Sequence, residues 1–209
     1  MNMREKEDSL TLEILQAIEK KENVTQRHLA QDLGVALGLA NSYLKRCARK
    51  GFIKIQQAPP NRYLYYLTPK GFAEKSRLSA QYLSSSFDFY RRASSSYSEI
   101  FAQCQADETP RLLLCGLSEM TEIAYIRAQE FKVELIGIWD ADSGLDCHLG
   151  LQVFPRLDNA AECDAFIITA LNNPTTVYES LQRTNPAQAI FAPEMLGLTQ
   201  QQPVVMDNV

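Results

Sequence analysis

The sequence predicts an α/β chain in two parts joined by a long helix, and three observations predict it. Residues 1–71 carry three short amphipathic helical segments followed by two strand-like ones, an α+β order. From 72 to 105 apolar positions step by three and four, with no proline or glycine after Gly71 to interrupt them. From 111 to 209 short apolar runs of strand length alternate with helix-length segments, which implies right-handed crossovers and a parallel sheet.

Composition sets the frame for these elements. Of 209 residues, 45% are hydrophobic, enough for buried cores. The opening MNMREKEDS is charged and has no apolar stretch of the kind a secretory leader carries. The longest apolar runs, such as Leu112 to Cys115, fall far short of the roughly 20 residues that cross a membrane. A cytoplasmic protein with no membrane partner is the expectation. Five scattered cysteines, an odd number with no C-x-x-C pair, read as reduced buried thiols. Asp146-Cys147-His148 carries ligand-type donors, but neighbours on one loop seldom converge on an ion, so no metal site is expected. The net charge of −4 conceals an asymmetry. Residues 1–75 hold 13 Lys and Arg against 8 Asp and Glu, and the remainder holds 8 against 17. A basic front on an acidic back suits a polyanion-binding module attached to a domain of different purpose.

In the first part, Ser9 to Lys21 lines up Leu12, Ile14, Leu15 and Ile18 on one helical face. Thr25 is placed to cap a second helix, with Val24 and Leu29 at the positions of a hydrophobic staple and Gly34 ending it. A third helix from about Ala36 to Lys50 buries Leu37, Ala40, Leu44 and Cys47 and turns Asn41, Ser42, Lys45, Arg46 and Arg49 outward. Strands at Phe52–Gln56 and Tyr63–Thr68 flank the turn Ala58-Pro59-Pro60-Asn61-Arg62. This is the order of a winged helix-turn-helix. Such a third helix fits a major groove about 12 Å wide. Asn and Arg there can read base edges, while Lys and Ser hold phosphates. The expected partner is double-stranded DNA, met by Gln26 and Arg27 opening the second helix, by Asn41, Ser42, Lys45, Arg46 and Arg49, and by Asn61 and Arg62 at the wing tip.

The run LAQDLGVALGLANSYLKRCARKGFIKI followed by NRYLYYLTPKG resembles MarR-type winged-helix regulators, in particular the subgroup found with exopolysaccharide gene clusters. That resemblance implies a transcription regulator. Ala36 departs from it, standing where Ser or Thr would cap the recognition helix, a loss of about 1 kcal/mol.

In the long helix, Ala73, Ser76, Ala80, Leu83, Phe87, Tyr90, Ser94, Tyr97, Phe101 and Cys104 form a heptad-like seam. Two serine triplets weaken the helix on its own, so the seam needs a partner. A homodimer contact is one reading and packing against the chain's own domains is the other. Gln105 to Pro110 ends the helix.

In the last part, strands are expected at Leu112–Gly116, Val133–Asp140, Leu151–Phe154, Ala165–Ala170 and Ala187–Ala192, with helices at Ser118–Phe131 and Asn173–Arg183. This reads as a Rossmann-like parallel α/β domain. Ligands of such sheets sit at the carboxyl ends of the strands, near the switch in strand order. The candidate ligand residues are therefore Gly116, Leu117, Ser118 and Glu119 in the first turn, Asp140 and Asp142 after the second strand, and Asn172 and Asn173 before the last helix. Asp140 stands 24 residues after Gly116, where a ribose-binding carboxylate belongs, and it serves equally as a cap at a strand end. GLSEMTEIAYI, ELIGIWDAD and LGLQVF resemble the CoA-binding and sugar-nucleotide-associated domains of polysaccharide biosynthesis proteins. The order winged helix then Rossmann domain is similar to the Rex repressors. Those resemblances imply a nucleotide, CoA or sugar-nucleotide effector. The turn lacks the further glycines of a dinucleotide fingerprint, because Ser118 and Thr121 or Ala124 occupy their places.

No Ser/His/Asp arrangement and no Tyr-x-x-x-Lys pair is present, and there are two histidines, so no catalytic residue is assigned. The alternatives to a ligand-controlled regulator are an enzyme acting on a nucleotide-sugar or acyl-CoA, and a scaffold with a degenerate second domain.

Overall fold

The computed structural model describes residues 3–20, 25–58, 62–105, 109–159 and 162–198. They fall into two compact units, Met1–Phe87 and Asp88–Val209.

The first unit is a winged helix-turn-helix. Helix α1 (Met3–Lys20) buries Ile14, Leu15 and Ile18. Helix α2 (Gln26–Asp32) is capped by Thr25, whose hydroxyl oxygen accepts the His28 amide at 3.2 Å. The staple residue Val24 lies outside the described residues. Helix α3 (Leu37–Arg49) begins at Ala36 without a side-chain cap and buries Ala40, Leu44 and Cys47. Leu37, expected in that stripe, is exposed, because it is the first residue of α3 and stands at the open end of the helix. Strands β1 (Ile53–Ala58) and β2 (Arg62–Leu67) pair antiparallel, with Ile53 opposite Leu67 and Ile55 opposite Tyr65. Leu29, Leu44, Cys47, Phe52, Ile53 and Tyr65 close one core with the α1 stripe.

Helix α4 runs Pro69–Cys104, starting three residues before the sequence reading placed it. The physical reason is a well-made N-terminus. Proline suits the first helical position, and the Thr68 hydroxyl accepts the Gly71 amide at 3.0 Å. Gly71 does not close the unit but sits inside this first turn, where a Cβ would fall 1.9 Å from the Phe52 carbonyl oxygen. Lys75 Nζ, one turn on, reaches Glu19 of α1 at 2.6 Å.

The second unit is a mixed sheet of mostly parallel strands with helices. After the later turns of α4 come β3 (Arg111–Cys115), α5 (Glu119–Ala128), β4 (Glu134–Trp139), β5 (Cys147–His148), β6 (Leu151–Phe154), β7 (Ala165–Ile168), α6 (Pro174–Thr184) and β8 (Ala189–Phe191). The sheet order is β5-β6-β4-β3-β7-β8. β5 joins β6 antiparallel, an edge hairpin too short for a periodicity signal, and the other neighbours pair in parallel. Counting only the parallel strands, the order is third-second-first-fourth-fifth, the doubly wound arrangement, with its switch point between β3 and β7.

Alternation along β3 divides the core. Leu112 and Leu114 meet α5 and the α4 residues Ala93, Tyr97, Ile100 and Phe101 on one face. Leu113 and Cys115 meet Leu181 of α6 on the other. The Tyr97 hydroxyl donates to the Ile168 carbonyl at 2.8 Å inside that core. The expected seam of α4 is thus divided: Tyr97 and Phe101 pack within their own unit, while Leu83, Phe87 and Tyr90 stay exposed at 53%, 57% and 40%.

Candidate nucleic-acid interface and ligand crevice

With Ala40, Leu44 and Cys47 turned inward, helical geometry points Ser42, Lys45 and Arg49 the opposite way, and all three are exposed. Residues at spacings of three and four share a helix face, so these side chains form one polar stripe. Arg27 of α2 is exposed as well.

Two other predicted DNA contacts are engaged elsewhere, and a third is half-buried. Arg46 lies on the flank of α3, where its guanidinium reaches Glu7 of α1 at 2.8 Å and lies over the Tyr43 ring, 6.0 Å from its centroid. The hydrogen bond from Arg46 holds the Glu7 carboxyl below the usual carboxylate range. Gln26 Nε2 donates to the Tyr65 hydroxyl at 2.9 Å, tying α2 to the ribbon. Burial pushes that phenol up, against the lowering effect of the Gln26 bond. Asn41 is half-buried, and its Oδ1 is buried without a hydrogen-bond partner among the described residues. Asn61 lies outside the described residues, and so does the side chain of Arg62.

Sequence reasoning missed part of the surface. Leu37 and Leu39 are exposed at 43% and 44% in the first turn of α3, with Gly38 between them. On the ribbon, Lys54 lies opposite Tyr66 and both face solvent, as does Tyr63. Strand alternation could have found Lys54 and Tyr66, since their chain neighbours Ile53 and Tyr65 carry the buried side.

In the second unit a crevice of about 480 Å³ opens at the carboxyl ends of β3, β4 and β7. Five of the eight predicted ligand residues line it: Leu117, Asp140, Asp142, Asn172 and Asn173. Trp139, Thr176 and Ser180 join them, unpredicted. Trp139 ends β4, a position that marks it as a candidate once the strand is known.

Gly116, Ser118 and Glu119 are absent from that lining, and the hydrogen bonds explain why. The Gly116 carbonyl accepts from the Thr121 hydroxyl at 2.7 Å and the Thr169 hydroxyl at 2.5 Å. A Cβ on Gly116, whose φ is +102°, would meet Ala170 at 2.4 Å, so this glycine allows β3 and β7 to approach closely. Ser118 caps α5 by accepting the Met120 amide at 3.0 Å and donates its hydroxyl to the Thr169 carbonyl at 2.6 Å. Glu119 is exposed in the first turn of α5.

Two amides at this turn are engaged as well. Leu117 N–H donates to Asp140 Oδ2 at 2.6 Å, and Ser118 N–H donates to the Thr121 hydroxyl at 3.0 Å. Asp140 Oδ1 accepts the Asp142 amide at 3.0 Å, so each oxygen of this carboxylate carries a backbone bond. Asn173 occupies the cap position of α6 in the left-handed region, φ 56°, with no side-chain cap bond.

All five cysteines are free, with Cys47 and Cys115 buried. Among the described residues no three His, Cys, Asp or Glu side chains cluster as a metal site would require. No helix among them is long and apolar enough to cross a membrane.

The winged helix-turn-helix DNA-binding family matches residues 7–54, from α1 into β1. No curated protein matches the chain.

Proposed function

We propose that the chain is a cytoplasmic, dimeric transcription regulator that binds double-stranded DNA through the polar stripe of α3 and responds to a small molecule in the crevice at the β3/β7 switch point. The observation that carries the DNA half is the exposed Ser42–Lys45–Arg49 stripe on the third helix of a domain matched to a DNA-binding family. In the finer reading this domain is of the MarR type, and the second unit is a Rossmann-like effector domain. The doubly wound strand order and a crevice at its switch point support the latter.

The exposed Leu83, Phe87 and Tyr90 of α4 support dimerisation. They repeat at spacings of four and three, the pattern of a helix that pairs with a copy of itself. Two such chains would present two recognition helices to half-sites a helical turn apart. Effector binding would then alter operator affinity through the relation between the two winged helices, a coupling on the order of 1–3 kcal/mol.

The test is fluorescence anisotropy of the full chain on a duplex selected from random sequence. Binding that survives competitor DNA and is lost with Lys45→Ala and Arg49→Ala combined supports the reading. Equal affinity for selected and random duplex overturns it.

A further inference from the structure

The geometry points to the class of molecule that enters the crevice: an uncharged, hydroxyl-rich compound that carries no phosphate. This rests on the reading of the crevice as an effector site and sharpens it against the nucleotide, CoA or sugar-nucleotide expected from sequence.

Three features count against a phosphate. No Lys, Arg or His lines the crevice. Of the amides around the start of α5, those of Leu117, Ser118, Met120 and Thr121 donate within the chain, which leaves that of Glu119 as the remaining donor for an anion there. Asp140 supplies the bond to Leu117 itself, so a carboxylate already occupies the anion's place at that turn. A phosphate brought there would meet like charge from Asp140 and, beside it, Asp142, with no cation on the lining to offset it.

The remaining lining fits hydroxyl groups. Asp140 and Asp142 only accept, while the Asn172 and Asn173 amides and the Thr176 and Ser180 hydroxyls both donate and accept. A ligand hydroxyl also does both, so it can satisfy a carboxylate and an amide together. An ammonium only donates. It would leave the asparagine N–H groups unmatched, and Asp140 already spends one lone pair of each oxygen on backbone amides. Trp139 adds apolar surface, suited to the C–H face of a ring. The volume of about 480 Å³ lies toward the small end of ligand sites.

Trp139 is the one tryptophan in the chain, so its emission reports on this crevice without a label. The full chain is titrated with neutral monosaccharides and nucleosides, with the phosphate monoester of each, and with glucosamine as the cationic member. Emission and melting temperature are both read. At least one neutral member should saturate the signal, its phosphate ester should bind at least tenfold more weakly, and Asp142→Asn and Asn172→Ala should each weaken the neutral ligand several-fold. Both replaced side chains are exposed, so the fold is not at stake. A phosphate ester or the amine binding as tightly as its neutral counterpart overturns the ligand class but leaves the crevice as an effector site. No response to any member overturns both.

Discussion

Replacing Arg49 by alanine removes a guanidinium from the C-terminal end of the proposed DNA-facing stripe, where it is exposed. Replacing Arg46 removes one that Glu7 already holds at 2.8 Å. Counterion release turns this difference into a number. Each phosphate contact contributes about 0.9 to the slope of log affinity against log salt. Over a fourfold rise in salt, from roughly 50 to 200 mM, one contact accounts for a change of about 3.5-fold. Arg49→Ala and Lys45→Ala should each flatten the slope by close to that unit, and their deficit against the parent should shrink as salt rises. Arg46→Ala should flatten it by less than half as much, because the Arg46–Glu7 pair presents little net charge to the duplex. Glu7→Gln should act in reverse, strengthening binding at low salt and steepening the slope as Arg46 is released. Anisotropy titrations of the four variants at four salt concentrations decide the matter. If Arg46→Ala flattens the slope as much as Arg49→Ala does, the assignment of Arg46 to a structural pairing is wrong.

Other outcomes follow from packing. Gly71→Ala should destabilise the first unit by about 3 kcal/mol or more, since its Cβ would lie 1.9 Å from the Phe52 carbonyl oxygen, a backbone atom that cannot swing aside; chemical denaturation checks this. Tyr97→Phe should cost the second unit about 1–2 kcal/mol by orphaning the buried Ile168 carbonyl, read in the same assay. Phe87→Glu should shift the chain from dimer to monomer in sedimentation while its helix content by circular dichroism is unchanged, because Phe87 is exposed at 57%. Burial pushes the Cys47 thiol up to about 11 from 9.0, so the stability it supports is complete below pH 9.0 and is lost as pH rises through about 11. Thermal melts across that range should decline less steeply in Cys47→Ala.

The local elements were legible because their signals are local. The Ala40–Leu44–Cys47 stripe, the Thr25 cap and the buried runs of β3 and β7 each follow from a few adjacent residues. What the sequence did not show is which groups meet across elements. A helical projection puts Arg49 opposite the buried stripe and Asn41 and Arg46 on its flanks, but it does not show what meets a flank. The placement of α1 does, by bringing Glu7 to Arg46 from 39 positions away. The α4 seam failed to divide for a related reason. Its period is the same where Tyr97 and Phe101 meet the sheet as where Phe87 meets solvent, because a three-four repeat records that a face is apolar and not what covers it.

Asp140 shows the same limit with a functional consequence. Its position after the second strand suits either a ribose contact or a cap, and spacing does not separate the two. The turn Gly116-Leu117-Ser118 resolves part of it. With Ser118 and Thr121 at this turn, the Ser118 and Met120 amides find side-chain acceptors, and the Leu117 amide takes Asp140. The glycines of a dinucleotide fingerprint leave backbone donors free for a pyrophosphate, and hydroxyl residues in their place engage some of those donors. In the proposed reading of the crevice, the missing motif and the preference against phosphate therefore share a cause: the hydroxyls of Ser118 and Thr121 take amides that a phosphate would otherwise use.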